Sequence, residues 1–107
     1  MAVFRVSFPK NEQTDALARA ILSLRDEAEC YAFFEDVCTI KEVLSMAQRL
    51  RVAELLSEGN SYQSVCEKTG ASSATVGRVK RCLDYGSGGY NLIIDRQKGN
   101  EACFNEN

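Results

Sequence analysis

The sequence predicts an all-α fold, because apolar residues recur at helical spacing and several segments carry helix start and stop signals. Of the 107 residues, 45% are hydrophobic and 26% are charged, a composition typical of one globular domain. We expect a single all-helical domain over residues 11–96. An N-terminal extension at 1–10 precedes it, and a flexible polar tail at 97–107 follows it.

Two helices are predicted in the first third of the chain. Pro9 and Asn11 indicate a break before a helix over residues 12–24, where apolar side chains recur every three to four residues. Asp26 is followed three residues later by Glu29, which is the spacing of a capping box. This pair predicts the start of a second helix, which ends near residue 38.

A long third helix is predicted to begin at Thr39, which forms a second capping-box pair with Glu42. Gly59 and Asn60 supply its stop signal, so the helix is expected to end near residue 58. Its apolar positions over 46–56 cover well over half of the helix surface. Such a helix must be buried on several sides, either by other helices of the chain or by a second copy of it.

Two short helices joined by a glycine come next. Ser61 is positioned to cap the first helix, and Ser72 or Ser73 to cap the second. Gly70 lies where the tight turn requires a left-handed backbone, which costs a residue with a Cβ about 1 kcal/mol or more. The pattern predicts a helix-turn-helix at 61–83, the supersecondary element that places a helix in the major groove of DNA.

One side of the second short helix has the composition of a DNA-contacting surface. Small residues near its start allow the backbone to approach base edges, and its basic residues suit phosphates. The predicted DNA-binding residues of the motif are Gln63, Lys68, Ser72, Ser73, Ala74, Thr75, Gly77, Arg78, Lys80 and Arg81.

The last part of the chain is predicted to turn and then form one short helix. Gly86, Gly88 and Gly89 lie close together, which is typical of a turn. Apolar residues then predict a helix over 90–96. The polar remainder has little to bury and gives the expected tail.

Positive charge is concentrated in the segment that contains the motif. The chain has a net charge of −2, yet residues 39–83 hold seven basic and four acidic side chains, a local charge of +3. Residues 1–38 carry −3 and residues 84–107 carry −2. Because phosphate binding depends on the local potential, this distribution supports double-stranded DNA as a partner.

Several other classes of function are disfavoured. The five cysteines form no C-x-x-C pair and the chain has no histidine, so we expect neither a metal site nor an enzyme. Four of the cysteines occupy apolar helical positions, where we expect buried free thiols. No apolar run is long enough for a membrane span and the first residues do not resemble a signal peptide, so a cytoplasmic location is expected.

Two segments carry a resemblance to a known family, FFEDVCTIKEVLSMAQRLRVAELLSEG and SYQSVCEKTGASSATVGRVKRCLDYGSGGYNL. Together they resemble the Trp repressor superfamily, and more closely its YerC/YecD branch, over residues 33–96. The resemblance implies an intertwined, all-helical homodimer. It also implies a transcriptional repressor that binds a palindromic operator through the helix from Ser73. The wide apolar arc at 46–56 agrees with burial by a second copy, which we favour.

The resemblance transfers a small-molecule site only in part. In the tryptophan-binding member of the family, two arginines enclose the indole, and they match Arg49 and Arg78 here. That member has a glycine and a serine where this chain has Val79 and Cys82. A branched side chain and a thiol at these positions argue against tryptophan as co-repressor. Arg49 and Arg78 therefore stay candidate residues for an unidentified effector. Alternatively, Arg49 is a solvated charge, and Arg78 contacts DNA or a carboxylate such as Glu54.

A second class of function fits part of the sequence. A helical protein–protein interaction module without specific DNA binding would use the acidic first third of the chain and its aromatic residues Tyr31, Phe33 and Phe34. The surface of the second short helix separates the two hypotheses. It must be accessible if the chain is a sequence-specific regulator.

Overall fold

The computed structural model describes the backbone of residues 4–105 and the side chains of residues 4–99. Within this part the chain forms helices and no strand, which confirms the all-α prediction. The helices in chain order are α1 (Glu12–Leu22), α2 (Glu27–Val37), α3 (Ile40–Ser57), α4 (Tyr62–Thr69), α5 (Ser73–Tyr85) and α6 (Gly89–Asn105).

The chain divides into two compact units. The amino-terminal unit is Ser7–Met46 and contains α1, α2 and the first turns of α3. The carboxyl-terminal unit begins at Ala47 and contains the rest of α3 with α4, α5 and α6. Residues 4–6, from the start of the chain, also belong to it.

The first helix starts at a capping box, whereas the sequence analysis predicted only a break in the chain at this point. The Oδ1 of Asn11 accepts the backbone N–H of Thr14 at 2.9 Å, and the Thr14 hydroxyl accepts the backbone N–H of Asn11 at 2.8 Å. The helix ends at Leu22 instead of residue 24. There the Ser23 hydroxyl donates to the carbonyl of Ala20 at 2.6 Å, a local bond that replaces continuation of the helix.

The two predicted capping pairs differ in the structure. Thr39 and Glu42 form the complete box, with N–H to side-chain oxygen distances of 2.8 and 3.1 Å. Asp26 caps α2 by accepting the N–H of Glu29 at 2.9 Å. The Glu29 carboxylate, however, accepts the N–H of Arg25 instead of that of Asp26. The helix start was therefore predicted correctly, but only one of its two expected bonds forms.

The amino-terminal unit leaves many apolar side chains accessible, and neither α1 nor α2 contains a buried residue. The exposed large apolar side chains of its helices are Leu17, Ile21, Leu22, Tyr31, Val37, Ile40, Leu44 and Met46. Tyr31, Ile40 and Leu44 line a groove of 210 Å³ between α2 and the start of α3. In the described chain, this unit presents an apolar surface to solvent.

The carboxyl-terminal unit has a continuous core drawn from α3, α4, α5 and α6. Its buried residues are Val52, Ala53, Leu55, Val65, Ala71, Val76, Val79 and Ile94. The interpretation of the apolar arc on α3 is corrected by this core. The arc is buried at residues 52–55 by helices of the same chain, whereas Met46 at its beginning is exposed.

The helix-turn-helix forms as the sequence predicted. The hydroxyl of Ser61 accepts the N–H of Ser64 at 3.1 Å at the start of α4. Gly70 ends α4 in the left-handed conformation, with φ of 74°, and its N–H donates to the carbonyl of Cys66 at 2.9 Å. Ser72 caps α5, so Ser73 is its first helical residue. Helix α5 then continues to Tyr85, two residues beyond the predicted end.

The final helix is longer than predicted. The sequence suggested a helix over 90–96 and a flexible tail from residue 97, but α6 continues to Asn105. Residues 97–99 are therefore helical, including Gly99. Gln97 and Lys98 have good helix propensity, and the tail prediction considered only their lack of apolar surface.

The cysteine prediction is wrong for this chain. Cys30, Cys38 and Cys66 are only half-buried and Cys82 is exposed, although all four are free thiols. Cys82 comes three residues after the buried Val79, at the border of the apolar stripe of α5. Helical periodicity alone did not distinguish this border from the interior. Cys103 lies outside the residues whose side chains are described.

Candidate nucleic-acid interface

Helix α5 packs against the core on one side, and hydrogen bonds fix its first turn and the turn before it. Val76 and Val79 on its inner side are 0% and 2% exposed. The Ser72 hydroxyl accepts the N–H of Thr75 at 3.1 Å, which satisfies one of the free donors of the first turn. The turn before it is tied to α3, because Gln48 Nε2 donates to the Thr69 carbonyl at 3.2 Å. The helix is thus positioned by contacts on one side only.

The opposite side of α5 forms a row of accessible residues, which we call the outer row. At 3.6 residues per turn, positions 74, 78, 81 and 85 lie on the side away from Val76 and Val79. The members of the outer row are Ala74, Arg78, Arg81 and Tyr85, and all are exposed. The row places a small residue in the first turn, two cations in the middle and an aromatic ring in the last turn.

A second row lies beside the outer row and contains Ser73, Gly77, Lys80 and Asp84. Lys80 Nζ is 3.3 Å from Asp84 Oδ1, an ion pair between successive turns. A cation that the sequence assigned to phosphate contact is therefore partly neutralised by the chain itself. Gly77 leaves this row without a side chain in its middle, and a Cβ there would meet no atom within 4 Å other than the backbone of its own helix.

The ten residues predicted to contact DNA divide into two groups. In the first group the side chains already have partners within the chain. Lys68 donates to Asn60 Oδ1 at 3.0 Å, and Gln63 donates to Glu67 at 3.4 Å. The other members of this group are Ser72 and Thr75, whose hydroxyls bond to each other at 3.1 Å, and Lys80.

In the second group the positions are accessible and the side chains have no such partners. Its members are Ser73, Ala74, Gly77, Arg78 and Arg81, all on α5. The polar members, Ser73, Arg78 and Arg81, have no hydrogen-bond or ion-pair partner among the side chains of residues 4–99. Among the ten predicted residues, the polar side chains without a partner therefore all lie on the first three turns of α5.

The alternative partner of Arg78 is not found. The sequence left Glu54 as a candidate carboxylate for Arg78, but Glu54 pairs with Arg51 on its own helix at 3.6 Å. An i,i+3 neighbour reaches this carboxylate without crossing to another helix. Arg78 thus keeps its exposed position on the outer row.

Arg49, the other candidate effector residue, lies near a separate cavity. A surface cavity of 560 Å³ is lined by residues of α3, α5, the α5–α6 turn and α6, including Leu50, Cys82 and Tyr90. Burial raises the pKa of the Tyr90 hydroxyl, and the Arg49 guanidinium partly opposes that rise. Neither Arg49 nor Arg78 lines the cavity itself.

Two residues of the exposed α5 surface were missed by sequence reasoning. Tyr85 lay outside the expected helix, which was predicted to end at residue 83. Its spacing of four residues from Arg81 is a signal that could have placed it on the outer row. Asp84 stands four residues after Lys80, the usual spacing of a helical ion pair, and that signal was also present in the sequence.

The described part of the chain contains no helix that is long and apolar enough to cross a membrane. The same part has no group of three or more cysteine, aspartate or glutamate side chains placed to hold a metal ion.

Comparisons with known proteins agree on one family. The family model for the Trp repressor protein matches residues 12–98. The Bacillus subtilis (strain 168) protein YerC is 52% identical over 93 residues, which cover 87% of this chain and 89% of YerC.

Two solved structures have the same fold. A TrpR-like protein from Eubacterium eligens is 50% identical, with a TM-score of 0.81 over 83% of this chain and 92% of its own. A Trp repressor-type protein from Staphylococcus aureus is 43% identical, with a TM-score of 0.80 over 83% and 89% of the two chains. The helix-turn-helix formed by α4 and α5 agrees with these likenesses: the chain belongs to the Trp repressor family, a family of helix-turn-helix regulators.

Proposed function

We propose that the chain is a sequence-specific DNA-binding transcriptional regulator, acting as a repressor, and that the outer row of α5 enters the major groove. The observation that carries the proposal is the asymmetry of α5. Valines hold one side of the helix in the core, while Ala74, Arg78 and Arg81 stay exposed on the other. Small residues at the start of a recognition helix and cations farther along it suit base edges and phosphates respectively. A DNA target also favours the predicted cytoplasmic location.

The proposed active form is a homodimer on a palindromic operator. Its support is the apolar surface of the amino-terminal unit, where Tyr31, Ile40 and Leu44 are 69%, 77% and 64% exposed around one groove. Apolar side chains at regular helical spacing without cover in their own chain favour burial by a partner. A two-fold pair of chains would present two α5 helices to two half-sites.

Selection of bound sequences from a random DNA pool tests the proposed function. The expected result is an enriched palindrome, with half-site centres about 10 base pairs or a multiple apart. Arg81→Ala should weaken binding to every sequence and lower the salt slope by about one unit per lost phosphate contact. Arg19→Ala removes the same charge from α1 and serves as the matched control. No enrichment at low salt would overturn the proposal and favour the protein–protein module.

Sedimentation of the full chain tests the dimer separately. We expect the wild type to sediment as a dimer and Ile40→Lys to shift it toward monomer, because a charge would enter the apolar groove. Arg51→Lys on the same helix keeps the charge and serves as the control. A wild-type monomer at concentrations that saturate the operator would contradict the two-fold arrangement.

A small-molecule effector remains part of the proposal, with Arg49 and Arg78 as its candidate residues. Val79, which stands where the resemblance puts a glycine beside the indole, is packed into the core. We expect L-tryptophan to leave DNA binding unchanged, since neither Val79 nor the thiol of Cys82 supplies the contacts implied for that ligand. A titration of operator binding with L-tryptophan checks this, and tighter binding would show that the arginines are sufficient.

A further inference from the structure

Tyr85 is the most exposed large hydrophobic side chain in the described part of the chain. Its side chain is 86% exposed in the last turn of α5, and the helix ends at the next residue, Gly86. A single exposed aromatic residue needs no explanation in itself. Its position on the outer row, four residues after Arg81, makes it continuous with the proposed DNA-contacting surface.

The length of the row places Tyr85 at the border of the groove. Ala74 and Tyr85 are eleven residues apart, so their positions along α5 differ by about 16 Å. The major groove of B-DNA is only about 12 Å wide. With the first turn near base edges, the last turn therefore reaches the sugar-phosphate backbone, which the Tyr85 hydroxyl could contact by donating a hydrogen bond.

A neutral donor is the hydrogen-bonding group that this end of the helix offers to a phosphate. The carboxyl end of a helix carries partial negative charge and Asp84 adds a full negative charge beside Tyr85, so the local field itself does not attract a phosphate. The one nearby lysine on the same rows, Lys80, is paired with Asp84 at 3.3 Å. A phenol can donate to a phosphate without bringing or releasing charge of its own.

We propose that Tyr85 is a DNA-positioning residue whose hydroxyl donates a hydrogen bond to a backbone phosphate at the border of each half-site. The contact would fix the tilt of α5 in the groove. This inference rests on the proposed function, since it requires that the outer row faces DNA.

The test is Tyr85→Phe, which keeps the ring and removes only the hydroxyl. On the operator obtained by selection, we expect binding about tenfold weaker, the usual size of a hydrogen bond to a charged group. The salt slope should stay unchanged, because no cation is lost. Ser57→Ala removes an exposed hydroxyl at the end of α3, outside the predicted DNA-binding residues, and should bind like the wild type.

Methylphosphonate substitution in the operator locates the contact. Neutralising the phosphate that Tyr85 contacts should weaken the wild type and have little further effect on Tyr85→Phe. Additive losses at every phosphate would overturn the proposal, as would equal affinities of Tyr85→Phe and wild type. If the wild type itself selects no sequence, the proposed function fails. That outcome differs from one in which the wild type selects an operator but Tyr85 contacts no phosphate.

Sedimentation of Tyr85→Ala completes the test, since a change in oligomeric state would assign Tyr85 to a protein interface and overturn the DNA contact.

Discussion

Lys80 Nζ and Asp84 Oδ1 lie 3.3 Å apart on the accessible surface of α5, and each side chain is 42% exposed. Such a solvent-exposed pair is worth about 0–1 kcal/mol, so a phosphate can compete for the lysine. The pair nevertheless places a carboxylate beside the proposed path of the DNA backbone. It makes Lys80 a weaker candidate than Arg81, which has no ion pair among the side chains of residues 4–99.

Asp84→Asn should therefore tighten DNA binding. Releasing Lys80 from its partner is expected to raise affinity about fivefold at most, with little dependence on sequence, and to steepen the salt slope by up to about 0.9. Fluorescence anisotropy over a series of salt concentrations measures both quantities. Asp36→Asn on α2 makes the same change in net charge, and an equal gain there would show a general charge effect. In a Lys80→Ala background the gain should shrink.

Gly77→Ala should separate stability from DNA binding. Gly77 lies inside α5 with free space around the position of a Cβ, so alanine should stabilise the helix by about 0.5–1 kcal/mol. The same methyl group would project into the space through which the backbone approaches the bases. We expect a higher free energy of unfolding in urea and weaker operator binding. Gly99→Ala on α6, which also has free space, should leave DNA binding unchanged. Unaltered operator binding by Gly77→Ala would mean that α5 does not approach the bases closely at this turn.

Val65→Ala should destabilise the carboxyl-terminal unit without touching its accessible surface. The Val65 side chain is fully buried, and loss of two buried carbon atoms costs about 2 kcal/mol with the cavity left behind. Urea unfolding at a fixed protein concentration measures the change, because oligomerisation would shift apparent stability. Val37→Ala on α2 removes an exposed side chain. An equal loss for the two variants would mean that Val37 is buried elsewhere, as in a dimer.

Glu42→Gln should weaken the acid dependence of stability. The hydrogen bond from the Thr39 backbone N–H to its carboxylate lowers the pKa of Glu42 below its ordinary value of 4.5. A carboxyl group with a lowered folded pKa stabilises the protein above pH 4.5, and this contribution is lost as the pH falls through the folded pKa. The free energy of unfolding of the glutamine variant, measured between pH 6 and pH 3, should therefore fall less steeply than that of wild type. Glu35→Gln on α2 is the control, and parallel curves for Glu42→Gln and wild type would contradict the capping role.

The positions of the helices followed from short stretches of sequence. Thr39 with Glu42, Ser61 and Gly70 each act through bonds or backbone angles within a few residues, so their type and spacing were sufficient. The end of α6 was missed because the prediction relied on apolar residues, which the segment 95–101 lacks, and did not weigh the good helix propensity of Gln97 and Lys98.

Burial and pairing were less accessible to sequence reasoning. The apolar arc of α3 was identified, but its division into an exposed start at Met46 and a buried part at Val52 depends on where α4 and α5 pack. Likewise, the sequence analysis named Glu54 as a possible ion-pair partner of Arg78, whereas in the structure Glu54 pairs with Arg51. The division of the arc depends on distances between helices, which periodicity does not contain, whereas the Arg51–Glu54 pair has an i,i+3 spacing that the sequence already showed.

The sequence by itself determined the helical class, the helix-turn-helix and the surplus of positive charge around it, because caps, turns and charges act locally. Only the tertiary structure decided that the side opposite Val76 and Val79 stays uncovered within the described chain, and that Tyr85 joins Ala74, Arg78 and Arg81 in one accessible row. The physical reason is that burial of Val76 and Val79 is a property of helices packed together from distant parts of the chain.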